Sequence, residues 1–180
     1  MLEALNPLNA FDNINAFLLA GGNVLFVIMI TTFFMWMLVV ERLIYFGTAN
    51  AAVKKRALRQ WDARTDHQSW YAHAVRDKLI SEVSMSSSAN IGLIKALVAV
   101  SPLLGLLGTV TGMVEVFDVM AVTGSSNARL MAGGITKATI PTMAGLVASL
   151  SGILALNIIE RQAKRSVADV SNRMVLGKGV

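Results

Sequence analysis

Three stretches of this 180-residue chain carry no Asp, Glu, Lys or Arg for long enough to cross a lipid bilayer. They cover residues 13–40, between Asp12 and Glu41; 96–114, between Lys95 and Glu115; and 138–159, between Lys137 and Glu160. A helical span needs about 20 mainly apolar residues. Inside the hydrocarbon, only helices and closed barrels satisfy every backbone polar group. The expected fold is therefore all-α, with three transmembrane helices. The first segment, through "VLFVIMITTFFMWMLVV", is the most hydrophobic, while the other two are richer in Gly, Ala, Ser and Thr. The first is expected to meet lipid and the other two to meet protein.

The net charge of +5 resembles a nucleic-acid signature until it is mapped along the chain. Residues 1–20 hold no Lys or Arg, and residues 41–95 hold nine. Between the second and third segments there is only Arg129, with Lys137 at the far edge. After Glu160 come Arg161, Lys164, Arg165, Arg173 and Lys178. Basic residues gather in cytoplasmic segments. The pattern places the N-terminus outside, 41–95 inside, a short loop outside and the C-terminus inside, and it names no nucleic-acid partner. Glu3 and Asp12 come before any basic residue, unlike a cleavable signal peptide, so the first segment is expected to be a retained anchor.

Phe11, Ile14 and Leu18 fall at i, i+3 and i+7, and Asn9 with Asp12 three later resembles a cap. Two readings stay open: a short helix on the outer membrane surface, or a plain extension of the first span. The 41–95 region is charged, alanine-rich and helix-permissive. It is expected to carry the spans onward into the cytoplasm, with Trp61, Trp70 and Tyr71 packed helix on helix. "SMSSSAN", 84–90, reads as a turn or the start of the second long helix. Val167, Val170 and Met174 keep helical spacing, so the third helix should run past the membrane.

"SPLLGLLGTVTGMVEV", 101–116, shows what the second segment is built for. On a helix, Ser101, Gly105, Thr109, Gly112 and Val116 share one face, with Gly108 beside it. Ala138, Thr142, Gly145, Ser149 and Gly152 do the same on the third. Close packing is the reading for Gly105, Gly108, Gly112, Gly145 and Gly152, because small residues let backbones approach in lipid. The hydroxyls of Ser101, Thr109, Thr142 and Ser149 leave two readings open. They bond their own helices, or they line a narrow polar path. Pro102 and Pro141 each free the carbonyl four residues earlier, which in a membrane must find another donor.

Charges gather at the ends of the segments. Glu115 and Asp118 lie near the outer end of the second, with Lys137 and Arg129 across the loop. An ion pair between helix ends and a funnel for cations both fit. Glu41–Arg42 and Glu160–Arg161 mark the inner ends and are expected to pair with each other or with lipid head groups. No acid lies in the middle of any segment. A proton path needs a group that binds and releases protons, usually a buried carboxylate. If this chain serves one, a partner supplies the acid.

Chemistry of other kinds is not indicated. With no cysteine, disulfides and thiolate metal sites are excluded. His67 and His73 are six apart and have no acid cluster beside them. "GLLGTVTG" lacks the Lys-Ser/Thr of a phosphate loop, and no Ser/His/Asp constellation is visible. No enzyme activity and no metal are expected.

"SPLLGLLGTVTGM" and "GITKATIPTMAGLVASLSGILALNIIERQ" together resemble the second- and third-helix signatures of the ExbB/TolQ/MotA family. The match covers about 101–161, with the Glu-Arg after the first span and the overall layout. The compact three-span arrangement is most similar to ExbB proteins of accessory TonB systems. The resemblance implies a homopentameric ring of long helices in the bacterial inner membrane. Its central pore would hold an ExbD-type single-span dimer whose aspartate takes the proton, and Thr109 and Thr142 take the positions of pore threonines. The work would reach a TonB-type protein and outer-membrane uptake of iron chelates. A TolQ-like envelope subunit and a non-conducting scaffold are the alternatives, and the span count disfavours a flagellar stator. Where many ExbB and TolQ proteins carry a glutamate, this chain has Lys137, expected to repel cations, pair with Glu115 or hold a neighbouring subunit. No cofactor is implied beyond protons, with phospholipid as the candidate bound molecule.

The chain is thus expected to divide into a periplasmic amphipathic segment at 1–20, transmembrane helix 1 at 21–44 and a cytoplasmic helical region at 45–92. Transmembrane helix 2 follows at 93–121, a periplasmic loop at 122–133, transmembrane helix 3 at 134–160 and a cytoplasmic helix at 161–180.

Overall fold

The computed structural model describes the backbone of residues 7–67, 69–123 and 128–174, and side chains within 21–67, 69–122 and 131–174. Every element among these residues is a helix: α1 (Pro7–Gly47), α2 (Ala49–Asp62), α3 (Trp70–Ser88), α4 (Ile91–Thr123) and α5 (Ala128–Arg173). Three helical stretches, Gly21–Gly47, Trp70–Val122 and Met131–Arg173, are long and apolar enough to cross a membrane. The chain is an all-α, multi-pass membrane protein. α5 has 46 residues, or about 69 Å along its axis. A hydrocarbon core is about 30 Å thick, so more than half of α5 is surplus to a crossing.

Two local breaks punctuate the helices. Gly22, at φ 66° and ψ −164°, leaves helical geometry inside α1. A residue with a Cβ is strained there, so the Gly21–Gly22 pair ends one helix and starts another. The faces of Phe11, Ile14 and Leu18, and the side chain of Arg129, lie outside the described side chains. The second break is Asn90, at φ 60° between α3 and α4. Asn tolerates the left-handed region better than most residues. "SMSSSAN" therefore finishes α3 and supplies the turn.

The chain divides into two compact units. The first comprises Met1–Met35 with Ala96–Gly152, and the second Trp36–Lys95 with Ile153–Val180. Large side chains crowd the outside of the first: Phe26, Phe33, Phe34, Leu103, Leu106, Val110, Met143 and Leu150 are all exposed. In water such a surface would be a liability, but against lipid it is ordinary.

The second unit has a core of conventional kind. Ala57, Trp61, Ala72, Leu79, Val83, Val170 and Met174 pack together from α2, α3 and α5. Polar bonds give the helix directions. Asn50 donates to Ser166 at 2.7 Å and Lys54 to Asp169 at 2.6 Å, so α2 runs parallel to α5. Arg76 donates to the carbonyls of Met174 and Ser171, and Lys95 pairs with Glu160, so the chain from α3 into α4 runs the other way. Trp61 packs as expected, but Trp70 is 84% and Tyr71 62% exposed. Both stand at the first turn of α3, and the core is already filled by Ala72 and Leu79. Arg64 stacks over the Tyr71 ring at 5.3 Å instead.

Candidate functional site

The glycine stripes bring α4 and α5 to backbone contact. A Cβ on Gly145 would lie 2.5 Å from the Ser101 carbonyl oxygen, and one on Gly105 would lie 3.0 Å from the Thr142 Cα. One on Gly112 would fall 2.6 Å from the Ala138 Cβ, while Gly108 abuts the Pro141 ring. Gly152 receives Met35 of α1 and Val98 of α4. These glycines leave no room for a side chain.

That closeness puts hydroxyls within reach of carbonyls on the neighbouring helix. Ser149 donates to the Val98 carbonyl at 3.1 Å. Val98 lies four residues before Pro102, so its carbonyl is the one the proline leaves without an intrahelical donor. Thr142 donates across to the Gly105 carbonyl at 2.8 Å. Ser101 turns back to Leu97 in its own helix at 2.9 Å. Ser101 is fully buried and Ser149 is 7% exposed. Of the two readings left open for these hydroxyls, bonding among the chain's own helices is the geometry found for these two serines. Thr109 and Thr142 are only half-buried. Thr109 spends its hydroxyl on Leu106 of its own helix, at 2.8 Å.

At the other end of this unit, Lys137 and Glu115 form an ion pair at 2.8 Å with both side chains substantially exposed. They border a cavity of about 320 Å³ that Gly22, Asn23, Gly108 and Thr111 also line. Sequence reasoning missed Asn23 here, although the adjacent Gly21–Gly22 pair was a signal that the backbone turns. Of the readings left open for Lys137, the pair with Glu115 is the geometry found.

The Glu41–Arg42 and Glu160–Arg161 pairs belong to the second unit. Arg42 is 6% exposed. It pairs with Glu41 at 2.6 Å, donates to the Ser86 carbonyl at 3.3 Å and lies over the Tyr45 ring at 4.9 Å. Glu41 also accepts from Asn90 at 3.0 Å. Arg42 thus satisfies a carbonyl in the last turn of α3, where helices leave carbonyls unpaired. Glu160 pairs with Lys95 at 2.6 Å and Arg161 is exposed. Lys54, and then Arg173, hold the Asp169 carboxyl below the ordinary carboxylate range. His67 sits edge-on to Trp61.

Comparison with known proteins decides the family. The sequence profile of the MotA/TolQ/ExbB proton channel family matches residues 47–172. The chain belongs to that family. Its curated relatives include the biopolymer transport protein ExbB of Salmonella typhimurium, 31% identical over 56% of this chain and 42% of that protein. The exbB1 protein of Vibrio cholerae is 33% identical over 48% of this chain and 39% of its own. A putative ExbB-like protein of Synechocystis is 37% identical over 42% of the chain and 37% of that protein. The matches span less than half the length of these relatives.

Proposed function

We propose that this chain is the ring-forming subunit of an inner-membrane proton channel of ExbB type. Five copies surround a pore that admits the single-span helices of an ExbD-type partner, and α2, α3 and the end of α5 extend into the cytoplasm. The observation that carries this reading is the α4–α5 pair. Its backbones are locked together by glycines, it keeps two half-buried threonines, and its charge-free segments hold no carboxylate. Conduction by such a surface needs an acid from elsewhere, and the partner helix supplies it. Each proton crossing gains about 2.3 kcal/mol per 100 mV. Several crossings can do mechanical work on a TonB-type protein and so drive uptake of iron chelates or similar nutrients through the outer membrane.

Thr109→Val is the cleaner test, because the Thr109 hydroxyl bonds only its own helix. Thr142→Val also removes a bond between helices. In a strain that depends on the system for iron, both variants should assemble with the partner and lose proton-driven uptake. Assembly with uptake unchanged in both would reject a pore role for the threonines. Imaging of the purified complex gives the subunit number and what fills its centre; a ring closed at the axis would reject the channel.

A further inference from the structure

α2 and α3 turn unlike charge patterns outward. On α2, Ala52 and Arg59 run along the middle of the exposed face, with Lys55 and Arg56 at its edges. No ion pair engages the three cations among the described residues. On α3, Ala74, Ser81 and Met85 run along the middle, with Asp77 and Glu82 at the edges. Lys78 leaves that face net negative, and the Asp77 side chain is 76% exposed, with Arg76 at 3.7 Å. Met85 is 72% exposed. Charged side chains set among small or apolar ones on an exposed face are how helices choose neighbours. Here the α2 face is basic and the α3 face is net negative.

The two faces also match in level. α5 sets the antiparallel register of α2 against α3, because Lys54 bonds Asp169 while Arg76 bonds the Ser171 and Met174 carbonyls. Counting along the helices at 1.5 Å per residue puts Arg59 level with about residue 76, and Lys55 with about residue 80. The basic positions of α2 thus stand at the height of Asp77 and Glu82.

Lipid head groups are the obvious rival for a basic face, and depth argues against them. The Lys54–Asp169 bond lies nine residues past Glu160, or about 14 Å along α5, and Arg59 is about 7 Å farther on. Screening limits charge interactions to about 8 Å at physiological salt.

We propose that the basic face of α2 docks on the acidic face of α3 in a neighbouring copy of this chain. One copy carries both faces, so the contact is head-to-tail and repeats until the ring closes. Arg59 meets the partner copy's Asp77 level, and Lys55 that of Glu82. This inference rests on the ring reading above and adds a contact outside the membrane that helps fix which copy lies next to which.

The chain has no cysteine, so introduced ones report without background. A chain with Arg59→Cys is co-expressed with a differently tagged chain carrying Asp77→Cys, and Lys55→Cys with Glu82→Cys. Mild oxidation in native membranes should give mixed disulfide dimers at least tenfold above Arg59→Cys self-dimers. Reversing α2 with Lys55→Glu, Arg56→Glu and Arg59→Glu should lower cross-linking between other introduced pairs along the two faces. Adding Asp77→Lys and Glu82→Lys should restore it. Self-dimers in place of mixed dimers would mean α2 meets α2 and overturn the proposal. So would free maleimide labelling of both positions in an intact ring, or protection of Arg59→Cys that appears only in anionic nanodiscs. In those cases the channel reading stands. A chain that stays monomeric in native membranes with its partner present removes both.

Discussion

The α4–α5 contact around Gly105 and Gly145 and the α2–α3–α5 contact around Trp61 hold helices together by opposite means. In the first, side chains are nearly absent and the contact is backbone on backbone. In the second, a buried Trp, Leu and Met fill the space, and ion pairs seal the edge. The difference fits the proposed placement of the first contact in lipid and the second in water. Lipid tails are as apolar as leucine, so burying leucine between helices gains little there, and close van der Waals contact with hydroxyl-to-carbonyl bonds does the holding. In water, burying apolar area is the main gain.

Substitutions can break this contrast, beginning with the largest effect. Gly145→Leu should abolish α4–α5 pairing, because the clash is with the Ser101 carbonyl, which cannot swing away. No protease-resistant folded chain should be recovered. Trp61→Ala should destabilise the second unit by about 3–5 kcal/mol, read as an earlier transition in denaturant while the first unit's helix pairing, measured by cross-linking, is kept. Were both substitutions to melt both regions equally, the contrast would fail. Ser149→Ala strands the Val98 carbonyl and should cost about 0.6 kcal/mol, the average for such bonds between membrane helices, and no more than about 1.7 kcal/mol, measured by unfolding in mixed micelles.

The control is Gly92→Ala. Nothing lies within 4 Å of its added methyl, so the change should stabilise the helix by up to about 1 kcal/mol. The smallest effect belongs to pH. The folded-state pKa of Asp169 is lowered, chiefly by Lys54. Its contribution is therefore present at neutral pH, above the unfolded value of about 3.9, and drains away as pH falls through the lower folded value. Asp169→Asn should flatten that part of an acid-stability curve.

Much of this was legible beforehand. The runs without charge overlap three helical stretches long and apolar enough to cross a membrane, and the spacing of Val167 and Val170 carried α5 past the apolar segment. The glycine spacing named the faces that meet. What spacing could not supply was which hydroxyl on a shared face is covered. Ser101 and Thr109 fall on one stripe, yet one is buried by its own chain and the other is half-open, because that depends on where α1 and α5 lie. Trp70 and Tyr71 misled for a related reason. Aromatic residues in a helical region are usually core, but the first turn of α3 comes just after the loop, where Ala72 already closes the gap. The turn at Asn90 was signalled by "SMSSSAN", whereas its hold by Glu41 arises from residues 49 apart.

The Ser149–Val98 bond also ties two positions into a fixed mutational order. While Pro102 is present, losing the hydroxyl strands a carbonyl in oil. Once Pro102 becomes alanine, the restored amide serves that carbonyl and the serine turns dispensable. Drift can therefore shed the proline first and the serine afterwards at little penalty, but the reverse route passes through a weakened intermediate.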